Sequence, residues 1–115
     1  MKAVYLRFIA LANAVGSESK ELRGIDETAK QLLEMITSRH AQGKSMTVTD
    51  AMALTKLASP ATIHRKLDAL REAGLIQQVF EGKNRRTKYL EPTQAANEYF
   101  ANLGKAMTQS LAPEI

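Results

Sequence analysis

The stretch SPATIHRKLDALREAGLI, residues 59–76, constrains the fold of this chain more than any other segment. A serine followed by a proline is typical of a helix start, because serine caps an orphan backbone N–H and proline fits the first helical position. The apolar residues that follow repeat at helical spacing: Ile63, Leu67 and Leu70. Gly74 then permits the left-handed residue that ends a helix. The sequence therefore predicts a helix over residues 60–73 with one face on a core.

The same helix carries basic side chains away from its apolar stripe. At about 100° per residue, the side opposite the stripe is formed by Ala61, Arg65, Asp68 and Glu72. One flank is formed by Thr62, Lys66 and Ala69, and the other by His64 and Arg71. The N-terminal half of the outer face is small or basic, which suits a helix whose first turns enter the major groove of DNA. A solvated helix face is the alternative, and the helix alone does not separate the two.

Periodicity and capping signals predict the remaining elements. The other helices are one over residues 2–15, one capped by Asp26 and running to about His40, a short one capped by Thr49, and a last one capped by Thr93. The buried face of the second of these is predicted to be Ala29, Leu32, Leu33 and Ile36. Strands are predicted over residues 75–81 and 87–91, with a turn at 82–85.

This order predicts a mainly α protein with a small β-hairpin: a winged helix-turn-helix with additional N- and C-terminal helices. The length of 115 residues suits one such unit. The predicted divisions are an N-terminal dimerisation arm at 1–16, a linker at 17–25, a DNA-binding winged helix-turn-helix at 26–92 and a C-terminal dimerisation helix at 93–115.

The predicted hairpin tip is strongly basic. KNRRTK, residues 83–88, places four cations in six residues around a turn, where the core does not require them. Like charges held so close repel each other unless an anion lies against them. The chain as a whole has 16 Lys and Arg against 12 Asp and Glu, a net charge of +4. An edge hairpin protected from aggregation by charge is the alternative, but two basic clusters at the two places where a winged helix touches DNA favour nucleic-acid binding.

TIHRKLDALREAGLI followed by NRRTKYLEPT resembles the winged-helix regulators of the MarR family. The resemblance covers about residues 47–100. The family's recognition-helix Thr-x-x-Arg corresponds to Thr62 and Arg65, its Leu-x-x-x-Gly-Leu-Ile to residues 70–76, and its wing-tip Asp-x-Arg to Asn84 and Arg86. Asn84 departs from the usual acid, and Ala96 stands where a glycine is common.

The resemblance implies a sequence-specific, double-stranded DNA-binding transcriptional regulator, with repression by occluding a promoter as the expectation. Base contacts are expected from Ser59, Ala61, Thr62, His64 and Arg65. Arg86 is expected in the minor groove. Phosphate contacts are expected from Lys66, Lys83, Arg85 and Lys88, together with backbone N–H groups at the helix that starts near Thr49.

The terminal helices carry apolar stripes beyond what a three-helix core needs. These stripes are Val4, Phe8, Leu11 and Val15 in the first helix, and Phe100, Leu103 and Met107 in the last. Helices outside a core bury such faces on a partner, so the sequence predicts a homodimer with these residues at its interface. Packing of the two terminal helices on each other within one chain is the alternative.

Other functions find less support in the sequence. There is no cysteine, and the two histidines, His40 and His64, lie on different predicted helices without ligand partners at metal spacing. No catalytic arrangement stands out, so we expect no enzyme, no catalytic residue, no metal and no cofactor. The N-terminal segment imitates a signal peptide, but Arg7 interrupts its apolar run, and we predict a cytoplasmic protein without a membrane span. The rival function is a winged-helix protein–protein adaptor, and no small-molecule effector is identified.

Overall fold

The structure, a computed structural model, describes residues 1–112 and is mainly helical with one small antiparallel sheet. The α-helices of this part of the chain are α1 (Lys2–Glu18), α2 (Glu27–Ala41), α3 (Val48–Met52), α4 (Pro60–Glu72) and α5 (Gln94–Ser110), with a 3-10 helix at Lys20–Leu22. The strands are β1 (Met46–Thr47), β2 (Ile76–Val79) and β3 (Tyr89–Pro92). This agrees with the predicted mainly α class. The last three residues of the predicted segment 93–115 lie outside the described residues.

Three of the predicted helix starts are confirmed. In each, the capping side chain accepts a hydrogen bond of 2.9–3.3 Å from the backbone N–H three residues later: Asp26, Ser59 and Thr93. Each bond satisfies a backbone donor that has no partner inside its helix. The end of α4 is also as predicted, since Gly74 adopts the left-handed conformation with φ of 77°.

The predicted cap of α3 is wrong by two residues. The helix begins at Val48, so Thr49 lies inside it and Thr47 is the cap. The Thr47 hydroxyl accepts from the backbone N–H of Asp50, and the Asp50 carboxylate accepts from the backbone N–H of Thr47, both at 3.0 Å. Thr49 has Met52 at the equivalent position, which has no oxygen to return the bond. The reciprocal pair therefore decides where the helix starts.

The sheet contains a strand that was not predicted, and its hairpin has a longer connecting loop than expected. Strand order is β1-β3-β2, with Leu90 of β3 paired to Met46 on one side and to Gln78 on the other. The predicted strands extend too far at the tip, because residues 80–88 all lie outside β2 and β3.

The hydrophobic core lies between α2, α4 and the sheet. The predicted buried face of α2 is confirmed, since all four of its residues are almost fully buried, as are the three stripe residues of α4. Leu22 of the 3-10 helix also joins this core. Residues 17–25 therefore differ from the predicted linker: they hold the end of α1 and a helical turn anchored by a buried leucine. Ala96 of α5 extends the core beyond residue 92.

Helices α1 and α5 form an antiparallel pair, which we call the arm. The Arg7 guanidinium donates two hydrogen bonds, of 3.2 and 2.9 Å, to the Ser110 carbonyl oxygen. Ala106 and Ser110 are buried, and these small side chains allow the helices to approach closely. Packing of the terminal helices on each other within one chain, the alternative considered above, is thus present. The α1 stripe is half-buried, as are Phe100 and Leu103, whereas Met107 is exposed.

Candidate nucleic-acid interface

The first turn of α4 holds Arg65 through a short chain of side-chain hydrogen bonds. The Ser59 hydroxyl donates to the Thr62 hydroxyl at 3.0 Å, and Nη2 of Arg65 donates to the same Thr62 oxygen at 3.2 Å. Arg65 is nonetheless exposed. Its guanidinium therefore has a defined position on the outer surface of α4.

One flank of α4 carries a linked set of charges. Asp68 accepts a hydrogen bond of 3.1 Å from Nη2 of Arg71, and the other oxygen of its carboxylate lies 3.4 Å from Nδ1 of His64. The helical spacings i, i+3 and i, i+4 bring these side chains together. All three remain substantially exposed to solvent, with 41–61% of each side chain accessible. Asp68 thus partly neutralises this flank without closing it off.

Lys66 lies on the opposite flank and is engaged elsewhere. Its ammonium group forms an ion pair with the Asp26 carboxylate at the start of α2. The hydrogen bond from Lys66, followed by that from the Ala29 backbone N–H, holds the pKa of Asp26 below its usual value. Lys66 was predicted to contact phosphate, but its side chain joins α4 to α2 and is only 26% exposed.

Asn84 organises the basic loop at residues 80–88. Its side-chain oxygen accepts a hydrogen bond of 2.9 Å from the backbone N–H of Arg86, and its amide donates to the Thr87 hydroxyl at 3.3 Å. The backbone N–H of Asn84 in turn donates to the Glu81 carbonyl at 3.2 Å. Asparagine and aspartate share this ability to shape a turn through the side-chain oxygen. The departure from the acid of the MarR-like pattern therefore retains a backbone role at the loop tip.

Arg85 lies over an aromatic ring at the base of the same loop. Its guanidinium carbon is 5.6 Å from the centroid of the Phe80 ring, a distance at which a cation is attracted to the ring face. Phe80 is 37% exposed, so the ring offers a surface rather than a pocket. The four loop cations, Lys83, Arg85, Arg86 and Lys88, are all exposed.

A groove of about 570 Å³ joins α4, the basic loop and the start of α3. We call it the shared groove. Its charged or imidazole side chains are His64, Asp68, Arg71, Arg86 and Lys88. Its remaining lining residues are Thr47, Val48, Thr49, Leu67, Gln78 and Thr87. The cations of the helix and of the hairpin loop thus share one surface feature, although the helix contributes the His64 flank and not Lys66.

Apart from Lys66, the predicted contact residues divide into three groups. His64, Arg86 and Lys88 line the shared groove, and Thr49, near the predicted backbone contacts of α3, lines it too. The second group lies around the N-terminal turns of α4, outside the groove lining: Ser59, Ala61, Thr62 and Arg65. The third group, Lys83 and Arg85, belongs to the basic loop but also lies outside the groove lining. Arg71 was not predicted as a contact. The signal was its spacing, since Arg71 follows His64 by seven residues, two helical turns, and therefore lies on the same flank.

The described residues form neither a metal-ligand cluster nor a membrane-spanning helix. Between residues 1 and 112, no three His, Cys, Asp or Glu side chains are grouped as metal ligands would be. Over the same residues, no helix combines the length and the apolar character needed to cross a membrane.

Comparisons with protein-family models, with curated proteins and with solved structures found no significant match to this chain.

Proposed function

We propose that this chain is a winged helix-turn-helix protein that binds double-stranded DNA and regulates transcription, in the manner of MarR-like repressors. Helices α3 and α4 form the helix-turn-helix, and β2, β3 and the loop at 80–88 form the wing. The observation that carries the proposal is the shared groove, to which α4 contributes Arg71 and the loop contributes Arg86 and Lys88. An anionic partner that contacts one element is thereby within reach of the other.

Helix α4 is the proposed recognition helix. With 13 residues it is about 20 Å long, and the major groove admits an α-helix. Ala61 and Thr62 in its first turns are small enough for close approach to base edges. Arg65 extends from the next turn with the hydrogen bond to Thr62 already formed, and a guanine edge is its expected partner.

The loop at 80–88 is the proposed wing. Arg86 enters the minor groove, where a narrow A·T-rich stretch has enhanced negative potential. Lys83, Arg85 and Lys88 contact phosphates on either side of it. We assign Lys66 a structural role instead of the predicted phosphate contact, because its ammonium group is paired with Asp26.

The proposal includes a homodimer, since a single winged helix covers one half-site and specific sites are commonly built from two. The arm supports pairing through exposed apolar side chains near its free end: Met1, Tyr5, Leu6, Ile9, Met107 and Leu111. We place the two-fold contact there rather than on the α1 stripe, because that stripe is half-buried against the same chain. A transcriptional regulator of this kind acts with the cell's DNA in the cytoplasm and needs neither cofactor nor catalysis.

Binding of selected DNA by charge variants tests the proposal. Binding sites are first selected from random duplexes, and affinities are then measured by fluorescence anisotropy over a range of salt concentrations. Arg65→Ala is expected to relax discrimination at one base-pair position by about 1–3 kcal/mol. Arg86→Ala is expected to weaken binding to most sequences and to reduce the salt slope by about 1.

Lys105→Ala is the matched control, because it removes one exposed cation from α5 in the arm. It is expected to leave both affinity and discrimination close to those of the parent. If Arg65→Ala and Arg86→Ala also behave like the parent, the assigned contacts are wrong. A parent protein with no salt-sensitive binding to DNA would favour the protein–protein adaptor.

A further inference from the structure

We infer that the shared groove holds one phosphodiester of the DNA backbone and that Asp68 is the counterion which this phosphate displaces. This assignment, which rests on the proposed function, adds Arg71 to the residues that contact DNA. The ligand class is a singly charged phosphodiester, and the contact is independent of base sequence.

The charges that line the groove favour an anion. Arg71, Arg86 and Lys88 contribute three positive charges, and His64 contributes an imidazole. Among the described residues that line the groove, Asp68 is the only acid. One carboxylate cannot neutralise three cations, so the groove retains a net positive charge. The Thr47 and Thr49 hydroxyls add neutral groups that are able to donate to a phosphate oxygen.

Asp68 occupies the position on Arg71 that a phosphate would take. Its carboxylate accepts from Nη2 of Arg71 at 3.1 Å, and the forked guanidinium binds carboxylate and phosphate oxygens in the same geometry. The second carboxylate oxygen lies 3.4 Å from Nδ1 of His64. Asp68 therefore keeps both side chains beside the groove in the free protein, and it competes with phosphate for them.

The ion pair between Asp68 and Arg71 is weak enough for a DNA phosphate to displace it. About half of the Arg71 side chain and 41% of the Asp68 side chain are exposed, and water and salt screen an ion pair of such exposure. A phosphate that enters the groove also meets Lys88, which forms no hydrogen bond or ion pair with Asp68 in the part of the chain that the structure describes. The consequence is a protein whose affinity for every duplex is held down by Asp68, while base discrimination by Arg65 is unaffected.

The test measures binding of the full chain to a duplex of random sequence at about 150 mM salt and over a salt series. Asp68→Asn keeps the shape of the side chain and removes its charge, and it is expected to tighten binding about two- to fivefold. Arg71→Ala is expected to weaken binding and to reduce the slope of log affinity against log salt by about 0.9, the loss of one phosphate contact. Arg71→Lys, which keeps the charge, is expected to retain most of the slope.

Glu72→Gln is the matched control, because it removes one exposed acid from the same helix without touching the groove lining. The assignment requires a clearly larger gain for Asp68→Asn than for Glu72→Gln, with discrimination between selected sites unchanged in both. Equal gains, or no change in slope for Arg71→Ala while the parent still binds, would overturn it. Circular dichroism confirms that each variant is folded, and if Arg71→Ala is not, the two acid variants decide. A parent that binds no DNA overturns the proposed function itself.

Discussion

The central unit and the arm hide their apolar side chains to very different extents. In the central unit, formed by α2, α3, α4 and the sheet, Leu32 and Leu70 are fully buried. In the arm, α1 has no fully buried residue, and Leu6 and Met107 are 52% and 58% exposed. The central unit thus completes its core within one chain, whereas the arm ends in apolar surface that a second molecule is able to cover.

The difference arises from the size of the residues at each contact. Helices α2 and α4 present leucine and isoleucine to each other, which removes a large apolar area from water. In the distal half of the arm the buried residues of α5 are Ala106 and Ser110, which bring α1 close but bury little area. The distal arm is therefore held largely by its packing geometry and by the bonds between Arg7 and Ser110.

The largest expected effect comes from truncating one leucine in each region, which tests this contrast directly. Leu70→Ala is expected to lower the free energy of unfolding by about 2–5 kcal/mol, because it opens a cavity in a closed core. Leu11→Ala makes the same change in half-buried surroundings, and its loss is expected to be about 1 kcal/mol. Urea unfolding followed by circular dichroism, at one fixed protein concentration, measures both. Equal losses would show that the arm is as well packed as the core.

A charge placed at the end of the arm tests whether this surface is an interface. Burial of one leucine contributes about 1.5–3 kcal/mol, and a two-fold contact contains it twice. Leu6→Glu is therefore expected to raise the dissociation constant of the proposed dimer about 100-fold or more, as measured by sedimentation equilibrium.

Ala101→Glu is the control for the dimer test, since it adds the same charge at an exposed position of α5 nearer the central unit. It is expected to leave the association unchanged. A parent that is monomeric at every concentration, or a Leu6→Glu variant that associates like the parent, would rule out the proposed contact.

The features that the sequence predicts well are local ones. Asp26, Ser59 and Thr93 were identified as caps because each acts within three residues along the chain. Thr47 was missed although it also had a local signal: Asp50 stands three residues later, where an acid returns the bond. A threonine followed three residues later by an acid is therefore the sequence pattern that predicts the start of α3 correctly.

Long-range contacts explain what the sequence does not predict. Strand β1 contains two residues, which are too few to show the alternating apolar pattern of a strand. It forms because β3 pairs with it. The helical wheel of α4 places Lys66 and His64 on different flanks. Only the fold brings Asp26, 40 positions away, to Lys66, and the basic loop to the groove that His64 lines. The same holds for the arm. The apolar stripe on α1 predicts that this face is buried, but it does not predict whether the same chain or a second molecule buries it.

Acid is expected to weaken the central unit slightly, and this is the smallest effect we predict. Among residues 1–112, the two carboxyl groups whose pKa is lowered in the folded chain belong to this unit: Asp26, through Lys66 and then Ala29, and Asp50, through the Thr47 backbone N–H. A lowered pKa means that the folded state favours the charged form. The resulting stabilisation is full above the ordinary value of about 4 and is lost as the pH falls through the lower, folded-state pKa.

Asp26→Asn separates the ion pair from the cap, since asparagine caps a helix about as well as aspartate but cannot pair with Lys66. At pH 7 the variant is expected to unfold at a slightly lower temperature than the parent. The gap should shrink as the pH falls from about 4 towards and through the lowered folded-state pKa, because the parent's carboxylate then becomes increasingly protonated and its link to Lys66 weakens. Asp50 titrates in both proteins, so the difference between their unfolding temperatures reports Asp26 alone. A gap that stays constant from pH 7 to pH 3 would mean that the Lys66–Asp26 pair does not stabilise the contact between α4 and α2.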